Sequence, residues 1–177
     1  SYRVESEGIF IAYTSVYGNT KVAALELKKL LEERGVSKVA IADLARDDMH
    51  ESIEDAFRYG TLVLATTTYN AGVFPKMHEF IHHLIERNYQ SRKIALIENG
   101  SWAPLAAKVI KELFANSKAE DICQWEPYER EYDYTVEEAL GAIIRYLKDN
   151  RLDELKIGTR IIIVPGFRFR IVDILVT

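Results

Sequence analysis

Apolar and polar positions along the chain alternate between two patterns. Short continuous apolar runs occur at 9–14, 38–42, 61–66 and 93–98, and each precedes a stretch where apolar residues return at helical spacing. The first such stretch, 20–34, carries Val22, Leu25, Leu27, Leu30 and Leu31 and ends at Gly35. Further helices are predicted at 50–59, closed by Gly60, at 75–87 from Pro75, and at 104–115. A shorter run at 122–126 reads as a weak strand. Residues 136–148 read as a helix, with Thr135 as N-cap and Glu138 three residues on. Runs such as Leu62-Val63-Leu64-Ala65 are apolar on both faces, as expected when helices cover both sides of a sheet. Strands alternating with helices through short connections predict right-handed crossovers and an α/β fold with a doubly wound, mainly parallel sheet. The rhythm breaks near the end, where 159–164 and 168–176 are β-rich and separated only by Pro165-Gly166-Phe167. A parallel pair would need a crossover for which there is no room, so a C-terminal antiparallel β-hairpin is predicted.

Composition narrows the class. A chain of 177 residues, 48% hydrophobic, is expected to form a single domain over 1–177. A formal charge of −4 argues against a nucleic-acid partner, which calls for a basic surface. No apolar run reaches the roughly 18 residues of a membrane span, and the first residues lack a signal-peptide plan. Cys123 is the only cysteine, which points to a reducing, cytoplasmic setting and a small core residue. The histidines are His50, His78, His82 and His83; without HxH or HExxH spacing, no protein-built metal site is expected.

The chemistry concentrates in three loops. Thr14-Ser15-Val16-Tyr17-Gly18-Asn19-Thr20 carries a strand directly into a helix. The N–H groups of a helix start have no intrahelical partner and sit at the positive end of the macrodipole, so such a turn accepts an anion. No Lys lies in the loop and the GxxxxGK[ST] spacing is absent, which favours a single phosphate monoester held by neutral donors over a nucleoside triphosphate with magnesium. Open parallel sheets bind ligands beyond the carboxyl ends of their strands. The other two loops there contain Thr67, Thr68, Tyr69, Asn70, Ala71 and Gly72, and then Asn99, Gly100, Ser101 and Trp102. Tyr69 and Trp102 suit a flat heteroaromatic ring. Each loop alone has a plainer reading: Thr14 to Thr20 as an ordinary helix cap, Trp102 as core packing. Phe74 and Pro75 fix the start of the next helix, Trp125, Tyr128, Tyr132 and Tyr134 pack a strand, and Arg46-Asp47-Asp48 is a solvated turn.

These motifs carry a resemblance. Residues 14–20 resemble the FMN phosphate loop of flavodoxins. The stretch 68–75, Thr-Tyr-Asn-Ala-Gly-Val-Phe-Pro, resembles the ring-contacting loop in the flavodoxin-like domain of flavodiiron (A-type) flavoproteins, and Asn99-Gly100-Ser101-Trp102 is similar to its third loop. The resemblance covers about 8–118, with Thr66-Thr67 where family members often show Ser-Pro. It implies non-covalently bound FMN, electron transfer to a redox partner protein or domain, no catalytic side chain, and a monomer or homodimer. Backbone around Asn70 to Gly72 would face the flavin ring edge, and the negative protein would lower its potential. The ligand motifs of a diiron domain are absent. Two alternatives follow: an FMN-dependent NAD(P)H quinone or azo reductase, or an engineered or chimeric α/β fold with no catalytic function. The segment 119–177 departs from the family. Its Ile-Gly-Thr-Arg-Ile-Ile-Ile-Val run and element order are similar to the end of the C-terminal domain of pyruvate kinase, which implies a chimera.

Overall fold

The computed structural model describes residues 3–99, 105–115, 124–125, 132–134, 159–164 and 167–176. The helix expected at 136–148, Pro165-Gly166, Cys123 and Tyr128 lie outside the described residues. The elements run β1 (Ser6–Tyr13), α1 (Asn19–Glu33), β2 (Val39–Asp43), α2 (Met49–Arg58), β3 (Tyr59–Tyr69), β4 (Gly72–Val73), α3 (Pro75–Glu86), β5 (Lys93–Asn99) and α4 (Ala106–Ala115). Then come β6 (Gln124–Trp125), β7 (Tyr132–Tyr134), β8 (Thr159–Val164) and β9 (Phe167–Val176).

The strands form one sheet in the order β2-β1-β3-β5-β9-β8-β7. β1 pairs in parallel with β2 and β3, and β3 pairs in parallel with β5. The chain therefore winds outward from β1 to β2 and then reverses to β3, which makes the carboxyl ends of β1 and β3 the switch point of the sheet. β9 joins β5 antiparallel, β8 joins β9 antiparallel, and β7 joins β8 in parallel. The expected hairpin is thus part of the sheet. The strand expected at 122–126 is only the two-residue β6, antiparallel to the end of β9. The place beside β5 goes to the ten-residue β9, which offers a far longer ladder of backbone hydrogen bonds.

Two cores sandwich the sheet. On one face α1 packs on Ile9, Ile11, Val63, Ala65, Ala95 and Ile97; on the other, α2, α3 and α4 pack on Phe10, Leu62, Leu64, Ile94 and Leu96. Adjacent residues of β1, β3 and β5 thus point to opposite cores, which explains the unbroken apolar runs. α1 buries Leu27, Leu30 and Leu31 of the expected apolar set, but joins them with Thr20, Ala23 and Ala24 in place of Val22 and Leu25. Thr20, Ala23, Ala24, Leu27, Leu30 and Leu31 are buried, whereas Val22 is 59% and Leu25 45% exposed. The buried set keeps the 3.6-residue period, and its small Ala23 and Ala24 suit close approach to a sheet.

Other departures are local. Asp48, read as part of a solvated turn, caps α2 by accepting N–H bonds from His50 (2.7 Å) and Glu51 (3.2 Å). The buried Arg92 guanidinium donates to the carbonyls of Phe57 (2.6 Å) and Arg3 (3.2 Å), tying the end of α2 to the start of β5.

Gly8 sits where β1 changes register against β3. A Cβ there would lie 2.9 Å from the Lys38 carbonyl oxygen and 2.8 Å from Tyr59. Gly8→Ala is expected to lower stability by about 1–3 kcal/mol, read as a lower urea midpoint.

Tyr89 packs edge-on against Phe57, with ring centroids 5.1 Å apart, and its buried hydroxyl has no hydrogen-bond partner. Burial raises its pKa, and burial followed by the Asp43 and Asp47 carboxylates raises that of Tyr13. In each case the folded pKa exceeds the unfolded value of 10.0, so the stabilisation is complete below that pH and is lost as pH rises through the folded value. Urea midpoints are expected to fall above about pH 10, and Tyr89→Phe is expected to flatten that fall. At neutral pH the same variant is expected to match or exceed the wild type by about 1 kcal/mol, because it removes an unsatisfied buried hydroxyl.

Candidate functional site

The first loop begins where β1 stops pairing with β2. Thr14 donates its N–H to the Ala65 carbonyl (2.9 Å), and its buried hydroxyl lies 2.7 Å from that of Thr66. The loop then turns on itself, the Ser15 hydroxyl accepting the Gly18 N–H at 3.0 Å. Gly18 has φ +90°, a conformation that favours glycine, and a Cβ there would meet nothing within 4 Å. No side chain caps α1, and its first turn holds no acidic residue. The positive end of the helix is left open to an anion.

The second loop differs from expectation. β3 does not stop at Thr66 but runs on to Tyr69, and the chain folds back through Asn70 (φ +49°) and Ala71 (φ +59°) into β4. Thr68 pairs with Val73 and Tyr69 with Gly72, so Asn70 and Ala71 form a two-residue hairpin with both central residues left-handed. Asn tolerates this conformation, and Ala71 bears a strain of about 1 kcal/mol. The half-exposed Tyr69 ring stands edge-on to Phe74, with centroids 5.7 Å apart, and Pro75 opens α3. Thr68 accepts the N–H groups of Leu105 (3.0 Å) and Ala106 (3.2 Å), and the buried Glu98 carboxylate accepts that of Ala107 (2.9 Å). The start of α4 is thus capped by two side chains from neighbouring strands.

Of the third loop, Asn99 is described; Gly100, Ser101 and Trp102 lie outside the described residues. Asn99 closes β5 opposite Thr67, is 4% exposed, and its Oδ1 has no hydrogen-bond partner.

A cavity of about 220 Å³ lies between the loops. Ser15, Val16, Tyr17, Asn19 and Thr20 line it from the first loop, Thr67, Thr68, Tyr69 and Asn70 from the second, and Asn99 from the third. The Thr20 and Thr67 hydroxyls meet across it at 3.3 Å. Thr14, Gly18, Ala71 and Gly72 do not line it: Thr14 is turned to Thr66, and the other three shape the turns. Among the described residues no charged side chain lines this space, and the residues that do line it offer an anion neutral donors and the α1 dipole. The sequence reading missed the supporting pair Thr66 and Glu98. Their signal was polarity at the ends of otherwise apolar runs. A larger cavity, about 540 Å³, opens at the opposite sheet edge beside Gly8, Gly60 and Lys93, where burial lowers the Lys93 pKa. Among the described residues no group of His, Cys, Asp and Glu could hold a metal ion, and no helix is long and apolar enough to cross a membrane.

An open doubly wound sheet with an uncapped helix start at its switch point defines a mononucleotide-binding class of α/β protein. The flavodoxin family model matches residues 11–124, and the chain belongs to the flavodoxin family. Membership implies FMN as the cofactor. The structure is similar to rubredoxin:oxygen oxidoreductase of Desulfovibrio gigas, at 16% identity and a TM-score of 0.59 over 64% of this chain and 28% of that one. It is also similar to the flavodiiron protein of Giardia intestinalis, at 15% identity and a TM-score of 0.55 over 66% of this chain and 28% of that one. Oxidised flavodoxin 2 of Bacillus cereus gives 22% identity and a TM-score of 0.50 over 62% of this chain and 75% of that one. This chain thus spans 28% of the length of the flavodiiron proteins it resembles. No curated protein matches the sequence.

The caps on α4 yield a direct test. Thr68→Val keeps the shape and removes the acceptor of two N–H groups, so stability is expected to fall by about 1–2 kcal/mol, measured as a lower urea midpoint.

Proposed function

We propose that this chain is a non-covalent FMN-binding module that passes electrons to a redox partner protein or domain. The observation that carries the reading is the convergence of the uncapped α1 start with the hydroxyls of Ser15, Thr20 and Thr67 in one cavity at the switch point, whose described lining carries no charge. In this reading Ser15, Asn19, Thr20 and the backbone of Val16 to Gly18 hold the phosphate. Tyr69 offers a ring face for stacking, and the Asn70-Ala71-Gly72 backbone lines the ring edge. The sequence resemblance adds Gly100, Ser101 and Trp102, which lie outside the described residues. Bound FMN would supply one- and two-electron redox chemistry, and no side chain of this chain needs to act as an acid or a nucleophile. The protein's part is to bind, orient and set the potential, which its net negative charge lowers.

The remaining expectations belong to the same proposal: a single domain over 1–177, a monomer or homodimer, and a cytoplasmic setting. Oxygen chemistry of the kind named for the Desulfovibrio relative would reside in a partner domain. The family match ends at 124, close to the start of the segment 119–177 that is read as a completion of the sheet of separate origin.

The test is a titration of the purified chain with FMN and with riboflavin. FMN is expected to bind with a change in flavin absorbance and to raise the melting temperature. Riboflavin, which lacks the phosphate, is expected to bind at least tenfold more weakly, and Gly18→Val is expected to narrow that gap. A colourless protein that ignores added FMN would overturn the proposal. Steady NADPH oxidation with a quinone by the pure protein would instead assign it to the reductases.

A further inference from the structure

We infer that the cavity at the amino ends of β1, β3 and β5 is a second ligand site, built for a small molecule with an anionic head and an apolar body. It stands apart from the cavity at the start of α1 and is independent of the FMN reading.

The cavity measures about 540 Å³, within the range of small-molecule sites. It opens on the α1 face of the sheet, beside the turn that follows α1. Pairing register sets Ile9, Thr61 and Lys93 side by side across β1, β3 and β5, and all three line it. Val36 from the turn and Val4 from the segment before β1 add apolar surface. Along the row the lining passes from hydrocarbon through a hydroxyl to an ammonium.

Two features lack an explanation within the fold. Thr61 is 9% exposed, yet its hydroxyl has no hydrogen-bond partner among the described residues. Polar groups buried to this degree are nearly always paired. Gly60 is the second. A Cβ there would touch only Val4, at 3.4 and 3.6 Å, and its backbone is not left-handed. Neither packing nor conformation calls for glycine, and glycine weakens a strand. Its missing side chain leaves bare backbone on the cavity wall, at the bulge where Glu7 and Gly8 together stand opposite it.

Charge orients the ligand. Among the described residues Lys93 is the only base on the lining and Glu7 the only acid. They stand on β5 and β1 with β3 between them, so their backbones are roughly 10 Å apart. An anionic head is drawn to Lys93 and the Thr61 hydroxyl and kept from Glu7. The apolar body then lies over Gly60 toward Ile9, Val4 and Val36. Burial lowers the Lys93 pKa, and an anion beside it favours the charged form.

The test titrates the whole chain with two probes, 2-naphthoate with a flat body and octanoate with a flexible one. At least one is expected to bind and to shift the backbone amide signals of Gly35, Val36, Gly60 and Thr61. The tighter of the two names the body. The matching alcohol, 2-naphthalenemethanol or 1-octanol, is expected to bind at least tenfold more weakly. Saturating FMN is expected to leave the anion bound. Thr61→Val keeps the shape and is expected to weaken the anion at least fivefold, while the ligand-free melting temperature holds or rises. Lys93→Met is expected to erase the preference for anion over alcohol. Wild-type protein that binds neither anion, or binds each no better than its alcohol, would overturn the inference without any variant. So would amide shifts confined to 14–20 and 67–70, or displacement of the probe by FMN. Thr61→Val that binds like the wild type, or that loses stability along with affinity, assigns the hydroxyl to the fold and overturns it too. Protein that binds the anion but ignores FMN would sink the FMN reading alone.

Discussion

The parallel pairing of β1 with β3 is the constraint on which the rest of this molecule depends. Five consecutive residues of β1, Ile9 to Tyr13, stand opposite Thr61 to Ala65. The Thr14 N–H to Ala65 carbonyl bond and the buried Thr14–Thr66 hydroxyl pair carry that alignment past the last paired residues. From these adjoining ends the chain leaves in opposite directions. α1 turns onto one face of the sheet, while the β3–β4 hairpin leads α3 onto the other. Two loops that must diverge from neighbouring strands leave a gap between them, so the cavity follows from topology before any lining residue is chosen.

What the lining residues add is a set of locally unfavourable choices. Gly18 and the Asn70-Ala71 pair hold left-handed backbone, α1 starts without a cap, and Asn99 keeps a buried acceptor without a donor. Each would be a defect in a fold selected for stability alone. Away from the site, Asp48 caps α2 and Pro75 opens α3, as local helix chemistry prefers. The connection from α3 to β5 holds departures of the same kind, with Asn88 (φ +53°) and Ser91 (φ +57°) left-handed and the Tyr89 hydroxyl buried without a partner, so such departures occur at both ends of the sheet.

This distribution also explains which parts could be read from the chain. The parallel strands were legible because continuous apolar runs such as 62–65 have few alternatives, and the strand-to-helix turn at 14–20 because an apolar run gives way there to helical spacing through Gly18. The face of α1 was not legible. Val22 and Leu25 continue an apolar pattern as well as Ala23 and Ala24 do, and only packing against the sheet decides between them. β3 was cut short at Thr66 because Thr67 and Thr68 look like loop residues, whereas their hydroxyls bond across to Thr20 and to the start of α4. Glu98 was invisible as a cap, because its partner Ala107 is fixed by the fold rather than by spacing.

The far edge of the sheet depends on register in the same way. β9 runs antiparallel to β5, with Asn99 opposite Phe169 and Lys93 opposite Val176, so the start of β9 lies at the sheet end that holds the cavity. β8 pairs antiparallel with β9, Val164 opposite Phe167 and Thr159 opposite Ile171, and so ends at that same side. The β5–β9 ladder, made by backbone groups whatever side chains the strands carry, therefore sets where the tail stands relative to the cavity.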